Sequence, residues 1–387
     1  MSARQNITVA RDRDGHIMSI DMIMPSNFHT HFRLRPVMEA IAWQIMCWVK
    51  YVLAMPNDGV IDTVDKVIAR YNDLCEMREK LGLHQVVIII TIYATDKLTP
   101  KVIEQLAALP FEVEIKYYPP HKGATTGSGH GIPLLTFSAD LFKATAYHGI
   151  RWLGHFETVT DSRGYEIPMH LREQYCMEHE FLPWFEKLPD KQKVCIEHAS
   201  TLQAIEIVKQ ETSGRLVCGN TPHHMLISID ELKRKSWANH GRCMPIPKAL
   251  EHVVAVRGFA TSGDPRAILG DDSAGHLSAT KAGPFDSATC GCWLPHALAM
   301  YAIAFEMEGA LDERFVKFAC FNGADWRGLP RPEPHERIRL VAETEHDIPE
   351  PTNVPEANDV IIPLGWTKER DKMKLGLALA IEQELNS

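Results

Sequence analysis

Apolar positions along the chain fall into two alternating patterns, short apolar runs and longer stretches at helical spacing. The runs near 21–28, 49–55, 86–92, 112–118, 150–156, 194–198, 215–219 and 267–272 predict eight strands. Val86 to Ile92 is nearly all β-branched, as in a strand covered on both faces. Val37 to Cys47 predicts a helix, apolar at Val37, Ile41, Ile45 and Met46. After Thr63, a candidate N-cap, Val64, Val67, Ile68, Tyr71, Leu74 and Cys75 repeat at helical spacing until Gly82, a C-cap glycine. Thr99-Pro100 opens the next helix with proline at its first position, running to about Leu109. Further helices are expected at 171–188 with a kink at Pro183, and at 202–208, 248–257, 295–307 and 313–321. A last one is expected across the final 20 residues.

Between these lie less regular stretches. Residues 1–21 read as a polar extension with a short strand at Ile7–Val9. Residues 123–131 read as a mobile Gly/Thr/Ser loop, and 221–247 and 273–293 as irregular. Residues 343–360 are acidic and Pro-rich. Strands that alternate with helices argue for the α/β class. Eight such units in one unbroken chain suit a (β/α)8 TIM barrel with an N-terminal extension and a C-terminal tail. The expectation is a single domain over 1–387, its barrel core at about 21–330 and its extension at about 331–387. A doubly wound sheet fits less well, because no Gly-rich dinucleotide turn follows the first strand.

Composition narrows the function. The chain has 387 residues, 45% apolar and 24% charged, enough for a sizeable core. A net charge of -9 without a basic stripe argues against nucleic acid as partner. No apolar run approaches the ~20 residues of a membrane helix. Nine scattered cysteines without a secretory signal suggest reduced thiols in the cytoplasm.

The chemistry centres on Asn27-Phe28-His29-Thr30-His31-Phe32-Arg33. Residues i and i+2 of a strand share a face, so His29 and His31 can aim two imidazoles at one point, a geometry for zinc or a neighbouring metal. Arg33 follows on that face with a planar fork suited to a carboxylate. In a barrel the site lies at the C-terminal strand ends. There the expected strands place His29 and His31, Asn57, Lys116, His155, His198 and Asp272. Taken singly, each has an ordinary explanation as a turn, cap or core residue. Their shared end argues for one joint site.

At this point the chain resembles the metal-dependent amidohydrolase superfamily, and within it the stand-alone bacterial dihydroorotases. The matching stretches include His29-Thr30-His31-Phe32-Arg33, Met55-Pro56-Asn57, Lys116-Tyr117-Tyr118-Pro119, Ala124-Thr125-Thr126, His155-Phe156-Glu157, Glu197-His198, Met244-Pro245-Ile246-Pro247-Lys248, Leu269 through His276 and Asn322-Gly323. The resemblance implies two zinc ions per subunit. His29, His31 and Asp272 would hold one, His155 and His198 the other, and Lys116, carboxylated on its amine, would bridge both. It implies Asp272 as general acid and base in opening or closing a cyclic amide. It implies Arg33, Asn57 and His276 on the substrate's carboxylate, Thr125 and Thr126 on a closing loop, and Met244 and Ala288 also against the substrate. A homodimer acting on a small carboxylate-bearing molecule is implied as well.

Several positions depart from that family's pattern. Phe156 stands where glycine is usual, which would put a ring near the metal pocket. Glu114 faces inward two residues before Lys116, where a small residue is usual, and a buried carboxylate needs a partner. Pro120-His121-Lys122-Gly123 lengthens the approach to the Thr-Thr loop, Gly275 replaces a proline, and Asp58-Gly59-Val60 replaces a Pro-rich run. These leave open a different cyclic amide, imide or lactone that also bears a carboxylate, which Arg33 and Asn57 favour in either case. A catalytically silent homologue would lack metal ligands, and none is missing here. Cys290-Gly291-Cys292 is a weak candidate for a third metal site.

Overall fold

The computed structural model describes residues 5–285, 289–343, 348–368, 373 and 378–382. Strands β1 (Ile7–Arg11) and β2 (Ile17–Ile23) form an antiparallel hairpin outside the barrel. Pro25 follows, and the barrel begins at β3 (Asn27–His31). This corrects the single strand expected at 21–28. A proline has no N–H for a ladder, so the apolar run splits and its halves join different sheets.

The barrel continues in chain order through β4 (Tyr51–Ala54), β5 (Val87–Tyr93), β6 (Val113–Tyr117), β7 (Trp152–Gly154), β8 (Val194–Ile196), β9 (Leu216–Asn220) and β10 (Ala267–Leu269). Each pairs in parallel with its sequence neighbour. Closure comes from β11 (Ser273–Ala274), which pairs in parallel with β3 through Ser273–Thr30 and Ala274–His31. Between β10 and β11 the chain presses on β3. A Cβ at Gly270 would lie 2.8 Å from that of His29, so glycine is required there. The Asp272 N–H donates to the His29 carbonyl at 2.9 Å.

Helices cover the outside of the ring. Thr63 caps the helix Val64–Lys80 and Thr99 caps Pro100–Ala107, as expected. Ala139–His148, capped by Ser138 and ended by Gly149 in the left-handed conformation, is a helix that the sequence reading did not resolve. The stretch expected at 171–188 is helical over Arg172–Phe185 but carries a π-helical turn at Met177–Phe181, just before Pro183. A π-helical turn is one way for a helix to accommodate the missing proline N–H. None of the helices among the described residues is long and apolar enough to cross a membrane.

Inside the ring, Phe28, Leu53, Ile89, Leu153, Val217 and Ile268 pack with Trp326. Beside them Glu114 has its partner. Arg327 donates from Nε and Nη2 to the two Glu114 oxygens at 2.8 and 3.0 Å, both side chains fully buried. The guanidinium also stacks over Phe28, 4.1 Å from its centroid.

At the chain's other end, β12 (Arg337–Glu343) pairs with β2, and β15 (Ala378–Glu382) pairs with β12. Extension and tail thus build one four-stranded antiparallel sheet. The helix expected at the end is corrected over Ala378–Glu382, which is strand, and 369–372, 374–377 and 383–387 lie outside the described residues. Between them, β13 (Thr352–Val354) and β14 (Asp359–Ile361) form a small hairpin within the acidic, Pro-rich stretch.

Candidate metal centre and active site

His29 and His31 lie in the C-terminal part of β3, whose register with β4 shifts between Asn27 and Thr30. Asp272, held at φ 51 just before β11, meets both. Its Oδ1 lies 3.1 Å from His29 Nε2 and 3.0 Å from His31 Nε2. These three groups are close enough to ligate one ion. His155 from the end of β7 and His198 from the end of β8 form a second pair, with Nδ1 and Nε2 3.1 Å apart. The His29 and His198 ring centroids are 5.2 Å apart, so the two groups adjoin.

Each of three histidines is held by its other ring nitrogen. His29 Nδ1 is 2.5 Å from Glu197 Oε2, His155 Nε2 is 2.7 Å from Glu157 Oε2, and His31 Nδ1 is 2.8 Å from Asn57 Oδ1. A proton on the held nitrogen leaves a lone pair on the other, the arrangement that orients metal-binding imidazoles. The sequence reading gave Glu157 and Glu197 no role. For Glu157 the signal was a carboxylate two residues from a strand-end histidine, while Glu197 reaches His29 168 residues away and only the fold shows it.

Lys116, near the end of β6, is fully buried, and its Nζ has no hydrogen-bond partner among the described residues. Burial pushes its pKa below the ordinary lysine value, against the pull of Glu197 and Asp272. Its charge acts in turn on His29 and His198. Burial, with the His155 charge, holds His198 well below the usual histidine range. For Asp272 burial acts upward, but His29, His31 and His198 outweigh it and hold the carboxyl well below its usual range. Imidazoles with free lone pairs, a carboxylate and an orphaned buried amine are a donor set that suits divalent metal ions such as zinc.

The same cleft is lined by Arg33, Asn57, Thr125, Thr126 and Met244. Asn57 donates from Nδ2 to the Thr126 carbonyl at 2.9 Å, and Thr126 Oγ1 donates to the Cys290 carbonyl at 2.7 Å. Two loops therefore meet over the site. Arg33, at φ 59, donates from Nε to the Gly275 carbonyl at 3.1 Å, and its Nη2 is 2.7 Å from His276 Nε2. Asp58 accepts both its Nη1 at 2.9 Å and its backbone N–H at 3.0 Å. Ala288 lies outside the described residues. Tyr118, Ala274 and Gly291 also line the cleft and were not foreseen. Phe156 is a correction. Its ring does not reach the metal groups but packs under the helices against Tyr117, Phe181 and Trp184. Neighbours on a strand face opposite sides, so a ring next to an inward His155 points outward.

No family model matches the chain. Curated relatives do. The dihydroorotase of Halorhodospira halophila is 32% identical over 346 residues, covering 88% of this chain and 94% of that protein. That of Laribacter hongkongensis is 31% identical over 350 residues, covering 89% and 96%. Among solved structures, dihydroorotase from Saccharomyces cerevisiae in complex with 5-fluoroorotic acid superposes with a TM-score of 0.80 at 24% identity, over 95% of this chain and 100% of that one. The L-hydantoinase (dihydropyrimidinase) of Arthrobacter aurescens shares the fold at a TM-score of 0.61 and 14% identity, over 85% and 77%.

Proposed function

The chain belongs to the dihydroorotase family, and from that premise we propose that it interconverts N-carbamoyl-L-aspartate and L-dihydroorotate in pyrimidine biosynthesis, as a metal-dependent hydrolase of a cyclic amide C–N bond. The observation that carries this reading is the meeting of His29, His31 and Asp272 with His155 and His198 around a buried, unpartnered Lys116.

In this reading His29, His31 and Asp272 would hold one zinc, and His155 and His198 the other. A pair of such ions lowers the pKa of water and polarises a carbonyl. Lys116 takes up carbon dioxide, its amine nitrogen bonding to carbon as one proton leaves. The resulting carbamate would offer two anionic oxygens to divalent ions. Burial favours this step, since only the neutral amine attacks. Asp272, kept ionised by its histidines, accepts a proton from the attacking water and passes it to the departing ring nitrogen. Arg33, Asn57 and His276 take the substrate carboxylate. Thr125, Thr126 and Met244 close over the ring, with Ala288 assigned to the same contact by resemblance. Every residue named comes from one chain, so a cytoplasmic homodimer would carry two complete sites.

A second reading keeps the chemistry and changes the ring. Asp58 neutralises part of the Arg33 charge, which favours a cyclic amide, imide or lactone less anionic than dihydroorotate. Zinc content measured together with ring opening of dihydroorotate, dihydrouracil and hydantoin separates the two. Preference for dihydroorotate supports the first reading. Two bound metals with turnover of the neutral rings alone would overturn it.

A further inference from the structure

We infer that His223, Cys243 and Cys292 form a third metal site, distinct from the strand-end cluster and suited to zinc or another divalent ion of similar softness. The three residues are buried, and their donor atoms lie within 4.8 Å of one another. Cys292 Sγ stands 3.8 Å from His223 Nδ1, and Cys243 Sγ donates to the Pro245 carbonyl at 3.4 Å. Zinc bonds of about 2.3 Å to sulfur and about 2.0 Å to nitrogen put tetrahedral neighbours roughly 3.5–3.8 Å apart. Cys292 and His223 therefore already stand at about the bound spacing, and Cys243 lies within 4.8 Å of both.

Three separate segments supply them. His223 lies in the short helix Pro222–Leu226 after β9, Cys243 precedes Met244 at the cleft, and Cys292 bonds across to β11, its carbonyl accepting the Ala274 N–H at 2.8 Å. One buried ammonium sets two of these segments. Lys281 Nζ donates to the carbonyls of Arg242 at 3.0 Å and Gly291 at 2.6 Å, the residues just before Cys243 and Cys292. A cation there also favours thiolate over thiol.

Packing alone accounts for two buried cysteines, which behave as small hydrophobes. It does not account for a fully buried imidazole that turns a ring nitrogen toward the same two sulfurs, with all three donor atoms within 4.8 Å of one another. Two thiolates and a neutral imidazole balance a divalent charge, and binding releases two protons to solvent. Because Met244, Cys290 and Gly291 line the cleft, an ion at this position would pin the cleft wall from behind. Three protein ligands leave one coordination position open.

The test is a titration of chelator-stripped, thiol-reduced protein with Co2+. The strand-end cluster offers only nitrogen and oxygen, so thiolate-to-cobalt charge-transfer absorption in the near ultraviolet reports the sulfur site whether or not that cluster loads. The expected band rises to the amplitude of one sulfur-ligated cobalt per chain, is lost in Cys243→Ser and in Cys292→Ser, and survives in Cys290→Ser. His223→Gln, which keeps both thiols should the serine variants fail to fold, weakens cobalt binding at that band. A folded, reduced wild-type protein with no band, or a band that survives both Cys243→Ser and Cys292→Ser, overturns the inference.

Discussion

The Arg33 guanidinium and the Asp58 carboxylate form a buried ion pair, 2.9 Å from Nη1 to Oδ1, at the edge of the cleft that would receive a substrate carboxylate. Burial alone would push the Asp58 carboxyl up, but Arg33 and His31 hold it below its usual range, so it is an anion. At an effective dielectric of about 20, a charge some 6–8 Å from a bound carboxylate repels it by about 2 kcal/mol before screening. Asp58→Asn keeps a hydrogen-bond acceptor beside Arg33 and removes that charge. The KM for dihydroorotate is expected to fall about threefold to tenfold with kcat nearly unchanged, while a neutral ring shows no such gain. A rise in KM would show instead that Asp58 serves mainly to hold Arg33 in its left-handed conformation.

Lys116→Ala removes the amine that would carry the bridging carbamate. Activity is expected to fall by about a thousandfold or more, a loss of about 4 kcal/mol in transition-state stabilisation, and zinc content to fall with it. Small carboxylic acids should restore part of the rate, because they can supply the missing anionic oxygens. A variant that keeps both its metal and its rate would remove lysine from the site's chemistry.

Glu114 and Arg327 test the barrel's interior apart from catalysis. Removing one partner of a buried pair costs about 3–5 kcal/mol, because the other charge is left without compensation. Glu114→Gln should lower unfolding stability by that order in denaturant titration. Glu114→Leu combined with Arg327→Met should cost clearly less. Equal losses in the two would mean that the volume of these side chains, and not their charge, is what matters there.

The metal-free protein should also be sensitive to acid. Burial holds His31, His198, His224 and His276 below the ordinary histidine value, and pushes His240 down to about 4 and His296 to about 3. Only His29 and His223 shift upward among the described histidines with a resolved shift. The lowered rings take up protons on unfolding, so the stability they support is lost as pH falls through about 6.5. Thermal unfolding of chelated protein should show a lower Tm at pH 5.5 than at 7.5. An unchanged or higher Tm at the lower pH would contradict this assignment of neutral buried rings.

Much of the site was legible because parallel strands share a polarity. Once apolar runs are placed, the residues that follow them fall at one mouth, and His29, His31, His155, His198 and Asp272 are found that way. Sheet membership was not legible. The run through Met22 and Phe28 reads as one strand, and only Pro25 hints that its halves separate. Glu114 revealed a need but not its answer, since Arg327 lies 213 residues away and no local pattern links them. The cysteine cluster was hidden for the same reason. Cys290-Gly291-Cys292 is visible as a motif, but only the fold shows that Cys292 turns to His223 and Cys243 while Cys290 faces the cleft.

The most direct measurement is the rate of L-dihydroorotate ring opening by the protein as purified, after chelation, and after zinc is returned in bicarbonate buffer. The expected result is turnover that disappears on chelation and returns with zinc, faster than for dihydrouracil or hydantoin under the same conditions. Protein that regains its full zinc load, remains folded and leaves dihydroorotate intact would contradict the proposed function.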